Sequence, residues 1–273
     1  MKRPFFVYCL LTLGCLVFMS PLAWTFATAL KSPQELATDP GRFIPAHPSF
    51  DNFVGAWKAL PLGNFVVNTV FVTLIATTGT LLSASLVAFG FSRFEFRGRN
   101  TLFMVLLGTM MLPGQVTMVP VFMIWRSLGA IDTFFPLTVP AFLGGGAFNV
   151  FLLRQFFLTI PRELDEAMLL DGASYFTIWR RLILSLSGPA LATVAIFSFI
   201  GNWDNFDGPL IYLNSPENYT VSIGLRLFQD TFGTNLGQLM AASLMHLMPT
   251  FLLFLLAQRY FVKGIAVSGL GGK

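Results

Sequence analysis

Charged residues are scarce in this chain. Asp, Glu, Lys and Arg make up 11% of its 273 residues, whereas hydrophobic residues make up 55% and the mean hydropathy is +0.70. A soluble domain carries about 25% charged residues, so the composition excludes that class and predicts a protein whose solvent is a lipid bilayer. Cys9 and Cys15 are the only cysteines. Both lie in one apolar run, so they form neither a disulfide framework nor a metal site.

Motifs of catalysis are also missing from the sequence. There is no Walker A motif, and the closest stretch, which begins at Gly264, lacks the Lys-Ser/Thr pair that must follow. There is no His-Glu-x-x-His zinc motif and no Gly-x-Ser-x-Gly nucleophile elbow. We therefore predict that the chain is not an enzyme, and that any energy for moving a solute comes from a partner.

Long runs without charged residues follow one another along the chain. A membrane-spanning helix needs about 20 mostly apolar residues. Six runs reach that length, namely residues 4–30, 59–92, 100–125, 133–153, 182–203 and 231–258. We predict an all-α, polytopic membrane protein with six transmembrane helices.

The basic residues orient these helices. Most of the 17 Lys and Arg residues fall on one side, and those on the other side are Lys31, Arg42, Lys58, Arg126 and Arg226. The positive-inside rule then places both termini in the cytoplasm.

The first run ends in Ala27-Thr28-Ala29, which also fits a cleaved signal peptide. Because the run exceeds a signal core of about 7–15 residues, we favour a retained helix.

One charged, amphipathic segment lies between the fourth and fifth predicted spans, at residues 161–182, PRELDEAMLLDGASYFTIWRRL. Pro161 and the acidic residues after it predict a helix start. Gly172 predicts a stop, and Ser174 predicts the N-cap of a second helix. The charge bias places this helix, turn and helix in the cytoplasm. An exposed apolar and acidic helix pair there predicts a protein partner, and a solvated loop without a partner is the alternative.

The pattern of Glu166-Ala167 followed by Asp171-Gly172-Ala173 resembles the EAA loop of ATP-binding-cassette (ABC) importer permeases, above all the carbohydrate-importer subunit of the maltose-transporter type. Four further stretches share the resemblance in the family's order, and together they cover roughly residues 60 to 270: FSRFEFRGRN (91–100), FLLRQFF (151–157), GNWDNFDGPL (201–210) and QRYFVKGI (258–265). The chain departs from the family at Ser185, where Pro is usual, and at Asp204, where Asn is common.

The resemblance implies a single permease domain over residues 1–273, with a first helix at about 5–30 and a core region at about 60–265. It implies a bacterial cytoplasmic-membrane location and three kinds of partner: a second homologous permease, two ATPase subunits and an extracytoplasmic solute-binding protein. The chain itself would bind no cofactor, since ATP and Mg²⁺ would be used by the ATPase. The cargo would be a sugar or sugar derivative. The expected ATPase-coupling residues are Glu166, Ala167, Asp171, Gly172 and Ala173.

Polar groups in or beside the spans are the candidates for the solute path. Intramembrane ionisable groups are costly unless they pair or face a cavity, and sugar sites combine aromatic faces with amide and carboxylate groups. These arguments select Asn149, Asn202, Trp203, Asp204 and Asn205. The glycines at 144–146 predict either a bend that lines the path or close helix packing.

Two other classes of protein stay open at this point. An ion-gradient-driven secondary transporter would usually carry intramembrane carboxylates or paired discontinuous helices, and the charge-free runs offer little of either. A membrane receptor or scaffold subunit is the second alternative.

Overall fold

The computed structural model describes residues 2–230 and 233–269, and the side chains of residues 6–229 and 235–258. The side chains of residues 259–265, which belong to the QRYFVKGI resemblance, therefore lie outside the described part. The α-helices are α1 (Lys2–Ala29), α2 (Pro33–Thr38), α3 (Asp51–Ala59), α4 (Leu62–Arg93), α5 (Arg99–Gly108), α6 (Gly114–Ser127), α7 (Phe135–Thr138), α8 (Ala147–Phe157), α9 (Glu163–Leu170), α10 (Tyr175–Thr177), α11 (Leu184–Leu186), α12 (Gly188–Trp203), α13 (Asp207–Tyr212), α14 (Val221–Gly224) and α15 (Leu236–Gly269).

Other short elements connect these helices. A π-helical stretch joins α10 to α11 at Ile178–Ile183, and four 3₁₀ turns lie at Thr109–Met111, Val139–Phe142, Pro216–Asn218 and Leu225–Phe228. Two two-residue strands, β1 (Gln229–Asp230) and β2 (Gly233–Thr234), pair antiparallel, with Gln229 opposite Thr234.

Four helical stretches of the described chain are long and apolar enough to cross a bilayer, at Phe6–Ala29, Leu62–Arg93, Phe135–Phe157 and Leu236–Gln258. Two bent pairs complete the predicted set. Arg99–Met111 with Gly114–Ser127 bends by 99°, and Tyr175–Leu186 with Gly188–Trp203 bends by 84°. The predicted number of six is reached when each bent pair counts as one span.

A proline lies at or next to each bend. At the first, Pro113 lacks an N–H and pushes Leu112 into an extended conformation, with ψ of 118°. At the second, Ser187 leaves helical geometry and Pro189 lies in the first turn of α12, where its missing N–H costs nothing. The predicted third and fifth spans are thus broken helices rather than straight ones.

The chain divides into two compact units. The first contains residues 2–66 together with 221–230 and 233–249, and the second contains residues 67–220 and 250–269. In the first unit, the amide of Asn52 donates to the carbonyls of Ala29 and Lys31, at 2.9 and 2.7 Å. The Lys31 ammonium lies over the Trp24 ring, 4.8 Å from its centre. These contacts fasten the segment after α1 to α3 and to the end of α1.

An apolar cluster forms the centre of the second unit. It takes residues from α4, α5, α8 and α12 and from the segment between α8 and α12, and we call it the core cluster: Ala84, Ala88, Phe89, Phe103, Val150, Leu153, Phe157, Ile160, Ile178, Trp179, Ile183, Ala190 and Val194. Because several of these side chains are fully buried, burial of apolar area holds the helices of this unit together.

The glycines at 144–146 bring the chain close to the middle of α4. All three have positive φ angles, of 113°, 66° and 83°. A Cβ atom on Gly145 would lie 2.7 Å from both the Ala84 nitrogen and the Thr80 carbonyl oxygen. The stretch therefore bends the chain and also packs closely against a neighbouring helix, which no larger residue at Gly145 would permit. A role of this bend in the solute path stays a prediction.

Candidate coupling site

Residues 161–182, which we call the acidic hairpin, form the predicted helix, turn and helix. The first helix is α9, and it ends where Gly172 adopts a φ of +81°. The Gly172 N–H donates to the Leu169 carbonyl and the Ala173 N–H to that of Met168, at 3.0 and 2.9 Å, which satisfies the last turn. The Ser174 hydroxyl then accepts from the Thr177 N–H at 3.3 Å and caps α10.

A buried ion pair attaches the acidic hairpin to α4. The Nε atom of Arg93, the last residue of α4, lies 2.7 Å from Oδ2 of Asp165 in α9. The two side chains are only 4% and 12% exposed. The same guanidinium donates through Nη2 to the Ile160 carbonyl at 3.1 Å. One side chain therefore holds both the chain that enters the hairpin and the first helix of the hairpin.

The ion pair pays a desolvation cost. Burial raises the pKa of the Asp165 carboxyl above its ordinary value, and the charge of Arg93 beside it acts in the opposite direction. Among the described residues, Oδ1 of Asp165 is buried without a hydrogen-bond partner, and the Arg93 Nε–H is not aligned on the carboxylate. The close approach of opposite charges offsets part of the cost of desolvation, although neither group has its full set of hydrogen bonds.

The tip of the acidic hairpin exposes apolar side chains. Leu170 is 90% exposed, and Tyr175 and Phe176 are also exposed. Of the predicted coupling residues, Glu166, Ala167, Asp171 and Gly172 lie on this accessible surface, whereas Ala173 is half-buried and packs against the core cluster. The hairpin thus presents charged and apolar groups side by side on its exposed surface.

A second ion pair lies at the solvent-exposed edge of the same region. The Nη1 atom of Arg162 lies 3.0 Å from Oε1 of Glu95, and the two side chains are 48% and 74% exposed. An exposed pair of this kind contributes about 0–1 kcal/mol. The attachment of the hairpin therefore depends on Asp165 and on apolar packing, and little on Glu95.

Comparison with known proteins places the chain among transport proteins. Residues 79–267 match the family described as the inner membrane component of binding-protein-dependent transport systems. The chain belongs to this permease family. The predicted family and the all-α membrane fold are therefore confirmed, and the permease is a multi-pass protein of the bacterial cytoplasmic membrane and not an enzyme.

Two relatives and one solved structure illustrate the similarity. The permease is 33% identical to the arabinooligosaccharides transport system permease protein AraQ of Halalkalibacterium halodurans, over 84% of this chain and 82% of that protein. It is 31% identical to the diacetylchitobiose uptake system permease protein DasC of Streptomyces coelicolor, over 92% and 91%. A chain in the crystal structure of a bacterial ABC transporter involved in the import of the acidic polysaccharide alginate has the same fold, with a TM-score of 0.83, 23% identity and coverage of 95% and 97%.

The predicted solute-path residues of the permease lie on two helices. Asn202, Trp203, Asp204 and Asn205 lie together at the end of α12, and Asn149 lies in the first turn of α8, where its amide donates to the Gly145 carbonyl at 2.8 Å. The Asn202 amide donates to the Ser198 carbonyl at 2.7 Å.

The remaining three residues differ in exposure. Trp203 is buried and stacks on Phe199 at 5.6 Å, and the Asn205 side chain accepts from the Gly208 N–H at 3.1 Å. Asp204 is exposed at the C-cap of α12. Asn205 thus stabilises the turn after α12, and Asp204 is the candidate most accessible to a solute.

Sequence reasoning missed the Arg93–Asp165 pair. Asp165 counted only as one acid in a helix first turn, and Arg93 only as a marker of orientation. A signal for the pair was present, since Asp165 lies three positions before Met168 on the inward face of α9. An acid on the apolar side of an amphipathic helix needs a cationic partner.

A network around Asp132 was also missed. Its carboxylate accepts from the backbone N–H groups of Asn214 and Ser215, both at 2.9 Å, from the Ser215 hydroxyl, and from the Asn218 amide at 3.2 Å. Its own N–H donates to the Tyr212 carbonyl at 2.7 Å. These donors hold the pKa of the Asp132 carboxyl well below its usual range. Asp132 is the one described non-glycine residue with a positive φ, 62°, so this turn is held in a demanding conformation.

The loop held by Asp132 has a second attachment, to α4. The Asn68 amide donates to the carbonyls of Glu217 and Tyr219, at 2.7 and 3.0 Å. The loop at 214–219 is therefore held by two sets of hydrogen bonds within the second unit, one to Asp132 and one from Asn68.

Proposed function

We propose that the permease is the membrane subunit of an ATP-driven importer that acts with a second permease, two ATPase subunits and an extracytoplasmic solute-binding protein. Membership of the binding-protein-dependent family supports the solute-binding protein. The chain lacks a Walker A motif, so ATP and Mg²⁺ act on the ATPase subunits. The observation that carries the proposal is the acidic hairpin, whose base is buried and whose apolar tip is exposed.

The acidic hairpin is the proposed docking element for an ATPase subunit. Glu166 and Asp171 supply carboxylates for polar contacts, Leu170 supplies an apolar anchor, and Ala167 allows close approach. Gly172 permits the turn that places these groups at the tip, and Ala173 seats the turn on the core cluster. Closure of the ATPase subunits would push on this element and switch the permease between inward-facing and outward-facing states.

The second permease is proposed from the exposed apolar surface. None of the 14 residues of α6 is buried, and its exposed side chains include Val116, Val119 and Met123. Lipid covers part of such a surface. A path for a polar solute must be closed on all sides, and a homologous subunit facing this one supplies the missing wall.

The proposed cargo is a sugar or sugar derivative. The names of two relatives refer to arabinooligosaccharides and diacetylchitobiose. Asp204 at the end of α12 offers an exposed acceptor for sugar hydroxyls, and Asn149, Asn202, Trp203 and Asn205 remain the other proposed path residues. A thermal-shift screen of the cognate binding protein against sugars tests the cargo directly.

Co-purification tests the docking proposal. A Leu170→Glu variant places a charge at the apolar tip and is expected to lose the ATPase, whereas the wild-type permease retains it in detergent. Leu158→Glu is the matched control, because Leu158 is also an exposed leucine at the end of a helix and lies outside the hairpin. Equal retention of the ATPase by the Leu170→Glu variant and the wild type would contradict docking at the tip.

Uptake assays distinguish the proposed importer from a secondary transporter and from a membrane receptor or scaffold. A secondary transporter would import solute when the permease alone is placed in liposomes with an ion gradient, and a receptor or scaffold would import none under any condition. We expect import only when the ATPase, ATP and Mg²⁺ are present. Gradient-driven uptake by the permease alone would overturn the proposal.

A further inference from the structure

The attachment of the acidic hairpin to α4 combines one buried ion pair and a 3.5 Å hydrogen bond from Arg162 Nη2 to the Ser92 carbonyl with many apolar contacts. Arg93 contacts Asp165 at 2.7 Å and the Ile160 carbonyl at 3.1 Å. Around this point, Ala88 and Phe89 of α4 share the core cluster with Trp179 of the hairpin. The end of α4 and the base of the hairpin therefore meet in a single buried contact region.

The two kinds of contact differ in how strongly their energy depends on the orientation of the hairpin. Apolar packing is nondirectional, so small rotations of the hairpin on the core cluster change its free energy little. The ion pair and the Ile160 hydrogen bond act between defined atoms, so they favour one orientation of α9 relative to the end of α4. Of the two arginines at this contact, Arg93 is buried and Arg162 is 48% exposed, so Arg93 is the residue that best fixes the direction in which the hairpin moves α4.

The ion pair is a poor device for stability alone. Both side chains are buried, and Oδ1 of Asp165 lacks a partner among the described residues. A well-packed apolar pair of similar volume is often as stable as a buried ion pair, or more stable. Its presence is better explained by a need for a fixed orientation than by a need for binding energy.

We propose that Arg93 and Asp165 are positioning residues that make the acidic hairpin and α4 move as one body, so that a displacement of the hairpin reaches the second predicted span. The proposal rests on the proposed function, since it assumes that an ATPase displaces the hairpin. The two are tested separately, because binding of the ATPase and the response of α4 are independent measurements.

The experiment uses the assembled complex with its ATPase subunits and second permease. Cys9 and Cys15 are replaced by serine, and Val67→Cys, at an exposed position near the end of α4 opposite Arg93, serves as reporter. The rate of N-ethylmaleimide labelling is measured with and without ATP, Mg²⁺ and vanadate, which trap the ATPase. We expect trapping to change the rate when Arg93 and Asp165 are intact. In Arg93→Met and Asp165→Leu variants we expect about a tenfold smaller change, with the ATPase still bound.

Three outcomes would overturn the inference. They are a labelling rate that does not respond to trapping when the pair is intact, a full response in the Arg93→Met variant, and a full response in the Arg93→Met/Asp165→Leu double variant. The double variant preserves apolar packing, so it gives a folded complex even where a single variant leaves a buried charge and fails to assemble. Loss of the ATPase from the wild-type complex would instead refute the proposed function.

Two further variants test whether the charge of Arg93 is responsible for the response of the labelling rate to trapping. Arg93→Lys keeps the charge but loses the planar guanidinium, and we expect a response between those of the wild type and Arg93→Met. A response no larger than that of Arg93→Met contradicts an ionic basis. Glu95→Gln is the matched control, since it removes the exposed pair with Arg162. We expect it to respond like the wild type, and a loss of response equal to that of Arg93→Met would show that general loss of charge near the hairpin is enough.

Discussion

Two aspartates of the second unit fasten loops in opposite ways. Asp165 holds the acidic hairpin through one buried cation, and most of the remaining attachment is apolar packing. Asp132 holds the loop at 214–219 through backbone and side-chain donors in a half-exposed turn. Burial raises the pKa of Asp165, whereas hydrogen bonds lower that of Asp132. The hairpin therefore has a single buried ionic contact, whereas the Asp132 loop is fixed by several hydrogen bonds.

The comparison predicts that the largest loss of stability follows from breaking the contact between Arg93 and Asp165. Arg93→Met leaves the carboxylate of Asp165 buried and unpaired, which we expect to reduce the free energy of unfolding by about 3–5 kcal/mol. The Arg93→Met/Asp165→Leu double variant removes both charges and should be close to the wild type in stability. Thermal unfolding in detergent measures both. A double variant as unstable as the single one would show that packing, and not the unpaired charge, is responsible.

Gly145 belongs to neither aspartate attachment, and a substitution there acts through steric contact alone. We expect its loss of stability to be intermediate in size. Gly145→Ala places a methyl group against the backbone of α4 at a φ of +66°, and we expect a loss of about 3 kcal/mol. Gly146→Ala is the matched control, since its φ is +83° but the nearest atom, on the Asn149 side chain, is 3.6 Å away. That variant should lose only about 1–2 kcal/mol. Equal shifts in melting temperature would contradict the close packing of Gly145.

Substitution of Asp132 should cause a smaller loss of stability. Several donors bind its carboxylate, and water can replace some of the hydrogen bonds that the substitution removes. We expect Asp132→Ala to cost about 2 kcal/mol, from lost hydrogen bonds to a charged group and from alanine at positive φ. Asp132→Asn keeps an acceptor oxygen and tolerates this backbone conformation, so it should cost about half as much. The same unfolding assay applies, and identical losses in the two variants would rule out a contribution from the retained acceptor.

The smallest expected effect depends on pH. Because the folded-state pKa of Asp132 lies below the unfolded value of about 3.9, its stabilising contribution is present above about pH 4 and is lost as the pH falls further. The difference in melting temperature between the wild type and Asp132→Asn should therefore be constant from pH 7 to about 5 and narrow below about 4. A difference that stays constant down to pH 3 would contradict the role of the charged form.

Local sequence patterns were sufficient for the helices and for the acidic hairpin. The acidic first turn, Gly172 and Ser174 each act on neighbouring residues, and the structure places α9, the left-handed turn and the cap of α10 at these positions. The bends at Pro113 and Ser187 were not predicted, because length and hydropathy do not distinguish a straight span from a broken one. The roles of the coupling and solute-path residues remain predictions.

The lipid solvent, the helical class and the permease family could be predicted from the amino-acid sequence, because apolar runs and local motifs do not depend on what they pack against. The contact of Arg93 with Asp165, the role of Asp132 in the loop at 214–219 and the contact of Gly145 with α4 became visible in the folded structure. Each of these contacts joins residues that are far apart in the chain. Whether such groups meet depends on how the helices pack as a whole, which no local pattern encodes.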